Sequence, residues 1–344
     1  MKDGGKPMRS LRIFSTRHSN GIFFAGLCLL TLIAATGSLW IGSVKLSPLQ
    51  VFDVLTGREA DSIAARIILY SRLPRTCAAM LAGAALAVSG AVIQTVLNNP
   101  LASPGVIGVN SGAGFAVALV CAASPLAQQY TPLVAFCGAL TGVLLVTTLS
   151  QRTGASRMTV VLAGVAISAL FSAGIDAVVT LVPDAVNGVT DFRIGGFSGV
   201  TMAQLTPAAI LILASLGIAL SLSQQMDILA LGSDTAQSLG LPVQFVRFIL
   251  LVLAAALAGA AVSFCGLMSF VGLIVPHSIR YLSGENSLPL LLFSALGGAF
   301  FVTVCDLLAR ILFSPFELPV GIILAFAGVP FFLWLLFKQK GVRT

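Results

Sequence analysis

Charged residues are scarce in this chain. Only 9% of its 344 residues are Asp, Glu, Lys or Arg, whereas 57% are hydrophobic. A soluble domain carries about 25% charged residues, so this chain has too little polar surface to cover a soluble globule. The mean hydropathy of +1.02 agrees with this. The composition therefore predicts a multi-pass membrane protein.

The groups that carry enzyme chemistry are also scarce. The chain has two His, and its six Cys lie in apolar runs without a CxxC pair. We expect these thiols to be small buried hydrophobic groups rather than metal ligands or disulfides. The motifs GxxxxGK[ST], GxSxG and HExxH do not occur, so the chain has no nucleotide-binding loop of its own and an intramembrane enzyme is disfavoured. No cofactor and no metal site are expected.

Long apolar runs dominate the rest of the sequence. A run of about 20 apolar residues can cross a bilayer as a helix, and we predict an all-α membrane protein with about ten transmembrane helices. The predicted spans are 21–41, 76–97, 105–127, 131–150, 158–182, 205–223, 246–265, 267–282, 288–313 and 319–337. The eighth is the weakest because Pro276 interrupts it. A basic tail at 1–20, a single transmembrane domain at 21–338 and a short tail at 339–344 complete the chain.

The distribution of Lys and Arg predicts the orientation. If the ten spans alternate, 12 of the 19 basic residues share the side of the N-terminus and the other 7 lie opposite. Cytoplasmic loops are enriched in Lys and Arg, so both termini are predicted to be cytoplasmic. Segments 42–75 and 183–204 then lie outside, and segment 224–245 lies inside.

A polar break separates the second and third predicted spans at 98–114. It holds two Pro, three Asn and four Gly within seventeen residues. Backbone groups freed by such residues must find partners in protein or in a water-filled cavity, which makes the break a candidate for part of a pathway or a tight cytoplasmic turn. The spacings Gly108-x-x-x-Gly112 and Gly138-x-x-x-Gly142 predict close packing of helices.

Segment 224–245 does not resemble a plain connector. Ser233 is placed to cap a helix, Asp234 favours its first turn, and Gly240 followed by Pro242 stops it. We predict a helix of about two turns with apolar residues on one side. It is either an ordinary interfacial helix or a docking site for a cytoplasmic partner.

Few charges fall inside the predicted spans. Asp306 and Arg310 lie four residues apart and share a helix face, so they form either a local ion pair or part of a functional site. Asp176 lies near the end of the fifth span. No ladder of acidic residues is present, which weakens an ion-coupled transporter. For His277, which has no companion ligand, structural hydrogen bonding is preferred to metal binding or a proton relay.

Several specific motifs follow one another along nearly the whole chain. They are Arg72-Leu73-Pro74-Arg75, Gly83–Ala91, Asn99–Pro104, Leu162–Ile167, Gly195–Gly199, Leu229–Gly240, Phe270–Arg280, Asp306–Arg310 and Glu317–Gly321. In this order they resemble the FecCD family, the permease subunits of binding-protein-dependent ABC importers for iron–siderophore, haem and cobalamin. The chain departs from the usual family pattern at Phe192, at Leu267, which Met268 follows, and at Ser278.

The resemblance implies a type II ABC importer permease in the cytoplasmic (inner) membrane of a bacterium. Its implied partners are two ABC ATPase subunits, a periplasmic or lipid-anchored substrate-binding protein and a second permease, identical or paralogous, with no nucleic acid. The implied ATPase-coupling residues are Leu231, Gly232, Ser233, Asp234, Ala236, Leu239 and Gly240. The implied docking residues for the binding protein are Arg72, Arg75 and Arg310. The pathway or structural-motif residues are Asn99, Pro100, Gly108, Gly112, Gly164, Pro276 and His277.

The leading hypothesis is a permease that translocates a metal chelate while a separate subunit hydrolyses ATP. On the resemblance, the favoured chelate is iron–siderophore, with haem or cobalamin as alternatives. An ion-coupled secondary transporter is the alternative from another class, because broken helices are common there too.

Overall fold

The computed structural model describes residues 17–340 except 43, 45, 59–61, 125–128 and 153–156. Within these residues the regular structure is entirely helical and no strand occurs. Most of the predicted basic tail at 1–20 and of the C-terminal tail at 339–344 lies outside the described residues, so the tails remain predictions.

Fifteen α-helices follow one another in the described residues. The longer ones are α1 (Arg17–Trp40), α4 (Leu73–Leu97), α5 (Val109–Ala123), α6 (Thr131–Arg152), α7 (Arg157–Leu181), α9 (Met202–Ser221), α12 (Val243–Cys265), α13 (Val271–Ser283), α14 (Ser287–Ile311) and α15 (Val320–Lys340). The shorter ones are α2 (Pro48–Leu55), α3 (Ile63–Ile67), α8 (Val186–Ile194), α10 (Ser223–Ala230) and α11 (Ser233–Ser238).

The ten longer helices occupy the ten predicted spans, which confirms the all-α membrane fold. Seven helical stretches of the described residues are long and apolar enough to cross a membrane. Two of the remaining helices, α5 and α15, are apolar but shorter over their described apolar lengths. The third, α13, has 13 residues and contains Pro276, as expected for the weakest predicted span.

Two predicted boundaries were wrong. The second span starts well before residue 76, because α3, a π-helical turn at Ile68–Arg72 and α4 form one continuous helix from Ile63 to Leu97. Arg72 and Arg75 have internal partners and therefore do not end it. The third span starts at Val109 and not at 105, because Gly108 has a left-handed backbone with φ of 85° that breaks the helix.

The centre of the bundle is formed by α4 and α12. Helix α4 packs on α14, α12 and α13, and α12 also packs on α6 and α9. Backbones meet where α4 crosses α14: a Cβ added at Gly83 would lie 2.1 Å from the Gly298 carbonyl oxygen. Without a hydrophobic force between helices in lipid, such close van der Waals contact is what holds them together.

The two predicted glycine motifs pack against each other. A Cβ at Gly112 would lie 2.3 Å from the Gly138 carbonyl oxygen, and a Cβ at Gly142 would lie 2.3 Å from that of Gly108. Helices α5 and α6 therefore cross in opposite directions with their backbones in contact. The prediction of close packing at these motifs is confirmed.

The first and last helices, α1 and α15, both pack against α14. Helix α1 runs parallel to α14, since Phe23 contacts Phe293 near one end and Arg310 bonds Ser38 near the other. Helix α15 begins beside Ala309, at the Arg310 end, because Leu318 N donates to the Ala309 carbonyl. The start of α1 and the end of α15 thus lie at the Ser287 end of the bundle. Which side of the membrane this end faces remains a prediction.

Candidate coupling, docking and pathway sites

Arg75 is the centre of a group of charges at one end of the bundle. Its Nε donates to both carboxylate oxygens of Asp306, at 3.0 and 3.1 Å, and its Nη1 donates to Glu317 Oε2 at 2.6 Å. Arg310 Nε lies 3.2 Å from Asp306 Oδ2, one helical turn away. With Arg72 these residues make up the arginine cluster: Arg72, Arg75, Asp306, Arg310 and Glu317. Three guanidiniums face two carboxylates, so the formal charges leave one positive charge over.

The other two arginines hold the end of α1. Arg72 donates to the carbonyl oxygens of Leu39 at 2.8 Å and Trp40 at 2.6 Å, and to that of Val44. Arg310 donates to the carbonyl and the hydroxyl of Ser38, at 3.1 and 2.5 Å. The last carbonyls of a helix have no partner within it, and the two guanidiniums supply partners here.

Burial limits what these arginines can offer to a partner. Arg72, Arg75 and Arg310 are all buried, as is Asp306. Intramolecular carbonyls and carboxylates occupy the donors of these guanidiniums. The docking role itself remains a prediction. The local ion pair between Asp306 and Arg310, one of the two readings of their spacing, is present.

Glu317 was not singled out as a site residue from the sequence. Its side chain is 31% exposed. It is therefore more accessible than Arg75, Asp306 and Arg310, the other members of the arginine cluster that form ion pairs. Its place in the motif Glu317-Leu318-Pro319 was the available signal. For Ser38, a lone hydroxyl in an apolar helix, the sequence carried no signal.

The short helix predicted between Ser233 and Gly240 is present as α11, and a second short helix, α10, precedes it. Ser233 is the first residue of α11, and Gly232, with φ of 108°, occupies the N-cap position. The assignment of Ser233 as N-cap was therefore wrong. Its hydroxyl instead accepts a hydrogen bond from Arg247 Nη2 at 3.1 Å. Asp234 lies in the first turn, as expected.

The predicted stop at Gly240 is present in detail. Gly240 has φ of 82°, its N donates to the Gln237 carbonyl at 2.9 Å, and Leu241 N donates to the Ala236 carbonyl at 3.0 Å. This pair of bonds is the Schellman arrangement that closes a helix. Segment α10–α11 therefore ends in a fixed geometry.

Two leucines project from this segment. Leu231 and Leu239 are 62% and 61% exposed, whereas Ala236 is fully buried. Ala236 therefore supports the segment from inside, and the two leucines are the groups available to a partner. Exposed leucines at the ends of two adjacent short helices form a candidate docking surface.

Asp227 of α10 makes a contact that the sequence did not reveal. Its Oδ1 accepts a hydrogen bond from the backbone N of Ser287, the first residue of α14, at 2.8 Å. Sixty positions separate the two residues, and no motif connects them.

The polar break after α4 is a compact turn. Asn98 ends the helix in the left-handed region with φ of 47°, and Asn99 Oδ1 accepts from Leu101 N at 2.9 Å. Pro100 is exposed beside it. A Cβ at Gly164 would lie 1.9 Å from the Val106 carbonyl oxygen, so α7 lies directly against the break. The break thus joins α4, α5 and α7.

A second break separates α12 from α13. Phe270 has a left-handed backbone with φ of 68°, which is unusual for a bulky residue. Its ring lies on α15, since a Cβ at Gly328 would meet the Phe270 Cγ at 2.2 Å. Pro276 is buried inside α13, and the His277 ring meets Phe331 edge to face, with centroids 6.2 Å apart.

Two cavities flank this second break. One of about 570 Å³ is lined by Gly266 and carries the carboxylates of Asp191 and Glu317. The other, of about 580 Å³, is lined by Phe270 and is mostly apolar, with Arg193 at its edge. Among the described residues no group of three or more His, Cys, Asp or Glu could hold a metal ion.

Known families and structures match almost the whole chain. Residues 29–338 match the FecCD transport family. The chain belongs to this family. It is 37% identical over 312 residues to the Fe(3+) dicitrate transport system permease protein FecD of Escherichia coli, with 90% of the chain and 98% of FecD covered. It is therefore a transport permease and not an enzyme, and a multi-pass protein of the inner membrane.

Two further relatives are named for other transported molecules. The hemin transport system permease protein HmuU of Yersinia pestis is 37% identical, with 92% of the chain and 96% of HmuU covered. The vitamin B12 import system permease protein BtuC of Citrobacter koseri is also 37% identical, with 92% and 94% covered. A solved structure described as an inward-facing conformation of a metal-chelate type ABC transporter superposes with a TM-score of 0.82 at 30% identity, covering 92% of the chain and 99% of that structure.

Proposed function

We propose that this FecCD-family chain is the permease subunit of an ABC importer for an iron chelate of the siderophore type. The structural observation that carries the coupling part of the proposal is segment α10–α11. It presents Leu231 and Leu239 at the ends of two short helices, of which α11 closes in a Schellman arrangement. The sequence contains no nucleotide-binding loop, so a partner has to supply ATP hydrolysis. The leucines are the groups that such an ATPase would bind.

The cargo is inferred from relatives and from chemistry. Relatives covering nine-tenths of the chain carry iron dicitrate, hemin or vitamin B12 by name. The cavities beside the α12–α13 break are wide, and one of them is mainly apolar. A wide pathway with little charge suits a bulky chelate better than a bare ion, whose desolvation needs closely spaced charged or carbonyl ligands.

The partners form the rest of the proposal. Two ATPase subunits bind the α10–α11 end, a substrate-binding protein docks at the end that holds the arginine cluster, and a second permease copy completes the pathway. The second permease is an identical chain or a paralogue.

Reconstitution tests the function directly. The permease, the ATPase and the binding protein of its operon are placed in liposomes with internal ATP, and uptake of ⁵⁵Fe-labelled ferric citrate, a ferric hydroxamate, hemin and cobalamin is compared. We expect ATP-dependent uptake of a ferric chelate. Uptake of hemin or cobalamin alone would overturn the cargo. Uptake by the isolated permease with an ion gradient and no ATP would favour a secondary transporter.

A further inference from the structure

Helix α14 connects the two ends of the bundle that the proposed function uses. At its start, Ser287 N donates to Asp227 of α10. Near its end, Asp306 binds Arg75 in the arginine cluster. Twenty-five residues at 1.5 Å each give a rod of about 37 Å, which is enough to reach across a membrane.

We propose that Asp227 is a positioning residue that ties segment α10–α11 to α14, so that movement of the segment by the ATPase is passed along α14 to the arginine cluster. This rests on the proposed function, because it assumes that an ATPase moves the segment. It goes further by naming the residue and the helix that transmit the movement.

The contact with Asp227 holds the start of α14 in a way that local residues do not. The first N–H groups of a helix have no partners within it, and a carboxylate there is favoured by the helix dipole. Asn286 at the N-cap position makes no capping hydrogen bond with its side chain, and the first turn of α14 has no acidic residue. The carboxylate of Asp227 therefore supplies charge and acceptor from another element.

The donor side of the contact is protected from solvent, whereas Asp227 itself is exposed. Ser287 is 1% exposed, and α10 packs against both α4 and α14. A hydrogen bond between an ionised acceptor and a backbone N–H is stronger than a neutral one. Segment α10–α11 and the start of α14 are therefore expected to move together.

Helix α14 is suited to pass this movement on. The backbones of α14 and α4 touch at Gly298 and Gly83, so bending at that point is resisted. Beyond it, Asp306 binds Arg75 of α4, and Arg310 binds the end of α1. A shift of α14 along its axis would change the geometry of both contacts.

The structure offers a sharp test at Ser287, because proline removes the N–H without breaking the helix. Pro is favoured at the first helical position. Asn286 already has the extended backbone, with φ of −61° and ψ of 127°, that a residue before proline adopts. Ser287→Pro therefore removes the donor, Asp227→Ala removes the acceptor, and Ser287→Ala keeps the backbone bond as the matched control.

The measurement is made on the assembled importer in proteoliposomes with its ATPase and binding protein. For S287P and D227A we expect assembly and basal ATP hydrolysis to be retained, while substrate carried per ATP falls at least fivefold and stimulation by the binding protein falls by half or more. S287A should match the wild type. Both substitutions within twofold of the wild type in substrate per ATP would overturn the proposal.

The double variant separates transmission from a general loss of structure. If Asp227 acts only through the Ser287 N–H, D227A/S287P should be no worse than either single variant, whereas additive losses would overturn the link. If D227A alone fails to assemble, comparison of S287P with S287A decides. Should wild-type importer show no ATP-driven uptake at all, it is the proposed function that fails, and not this inference.

Discussion

Both carboxylate oxygens of Asp306 accept hydrogen bonds from Nε of Arg75, which lies 231 positions earlier in the chain, at 3.0 and 3.1 Å. The Asp306 side chain is fully buried, and Arg310 approaches it on the side of its own helix. One carboxylate thus pairs with two buried guanidiniums. The pairs join α4 to α14 at the end of the bundle where α1 also ends.

Removing that carboxylate should be costly. Asp306→Ala leaves Arg75 and Arg310 buried with too little negative charge, and breaking a buried pair costs roughly 3–5 kcal/mol. We expect a large drop in the midpoint of thermal unfolding, measured on detergent-solubilised protein by fluorescence-detected size exclusion. Glu317→Ala is the control, because a partly exposed pair contributes about 0–1 kcal/mol. Equal losses for both variants would contradict the assignment of Asp306 as the central group.

The predicted docking role of the arginine cluster needs a test that preserves the fold. Arg72→Lys keeps the positive charge but loses the fork that binds several carbonyls, whereas Arg72→Gln loses the charge. If the surplus charge attracts an acidic binding protein, Arg72→Gln should weaken capture and reduce its salt dependence, while Arg72→Lys should largely keep both. Capture is measured by biolayer interferometry at several salt concentrations. Unchanged capture in Arg72→Gln, at an equal folded fraction, would remove Arg72 from the docking site.

The exposed leucines of α10–α11 should carry the binding of the ATPase. Burying one leucine contributes about 1.5–3 kcal/mol, so Leu231→Asp and Leu239→Asp should each weaken association by about tenfold to a hundredfold. Co-purification with the ATPase measures the effect, and insertion into the membrane should be normal. Leu49→Asp is the control, because Leu49 is 69% exposed but lies on α2. Full co-purification of both variants would exclude the segment as the docking surface.

The close crossing of α5 and α6 predicts a clear difference between glycines. Gly138→Ala would place a Cβ 2.4 Å from the Gly112 carbonyl oxygen, and such overpacking costs roughly 1–3 kcal/mol. Gly217→Ala in α9 would meet nothing within 4 Å and should leave the unfolding midpoint unchanged or raise it. A midpoint for Gly138→Ala equal to that of Gly217→Ala would show that the two helices do not pack as described.

The features that the sequence predicted correctly are those with a local signal. Apolar length predicted the helices, GxxxG spacing predicted the α5–α6 contact, and Gly240 predicted the end of α11. The missed contacts join residues that are far apart, such as Asp227 with Ser287 and Arg310 with Ser38. The partners of Arg72 and Arg75 were missed for the same reason, because composition and spacing do not show which carbonyls or carboxylates the fold brings to them.

The contact of Phe270 with Gly328 yields the last prediction. Gly328→Ala places a Cβ 2.2 Å from the Phe270 Cγ, so either the ring or α15 has to move. Phe270 borders the apolar cavity and holds a strained left-handed backbone that costs about 1–3 kcal/mol, so we expect the ring to leave its position against α15. Gly328→Ala should therefore lower the unfolding midpoint and change the rate of substrate uptake. The Phe270 Cβ would also lie only 2.6 Å from the added methyl, so the overlap is gone only in Phe270→Gly/Gly328→Ala, where the methyl should cost little beyond Phe270→Gly alone. A Gly328→Ala effect of the same size with and without the ring would show that the two residues act independently.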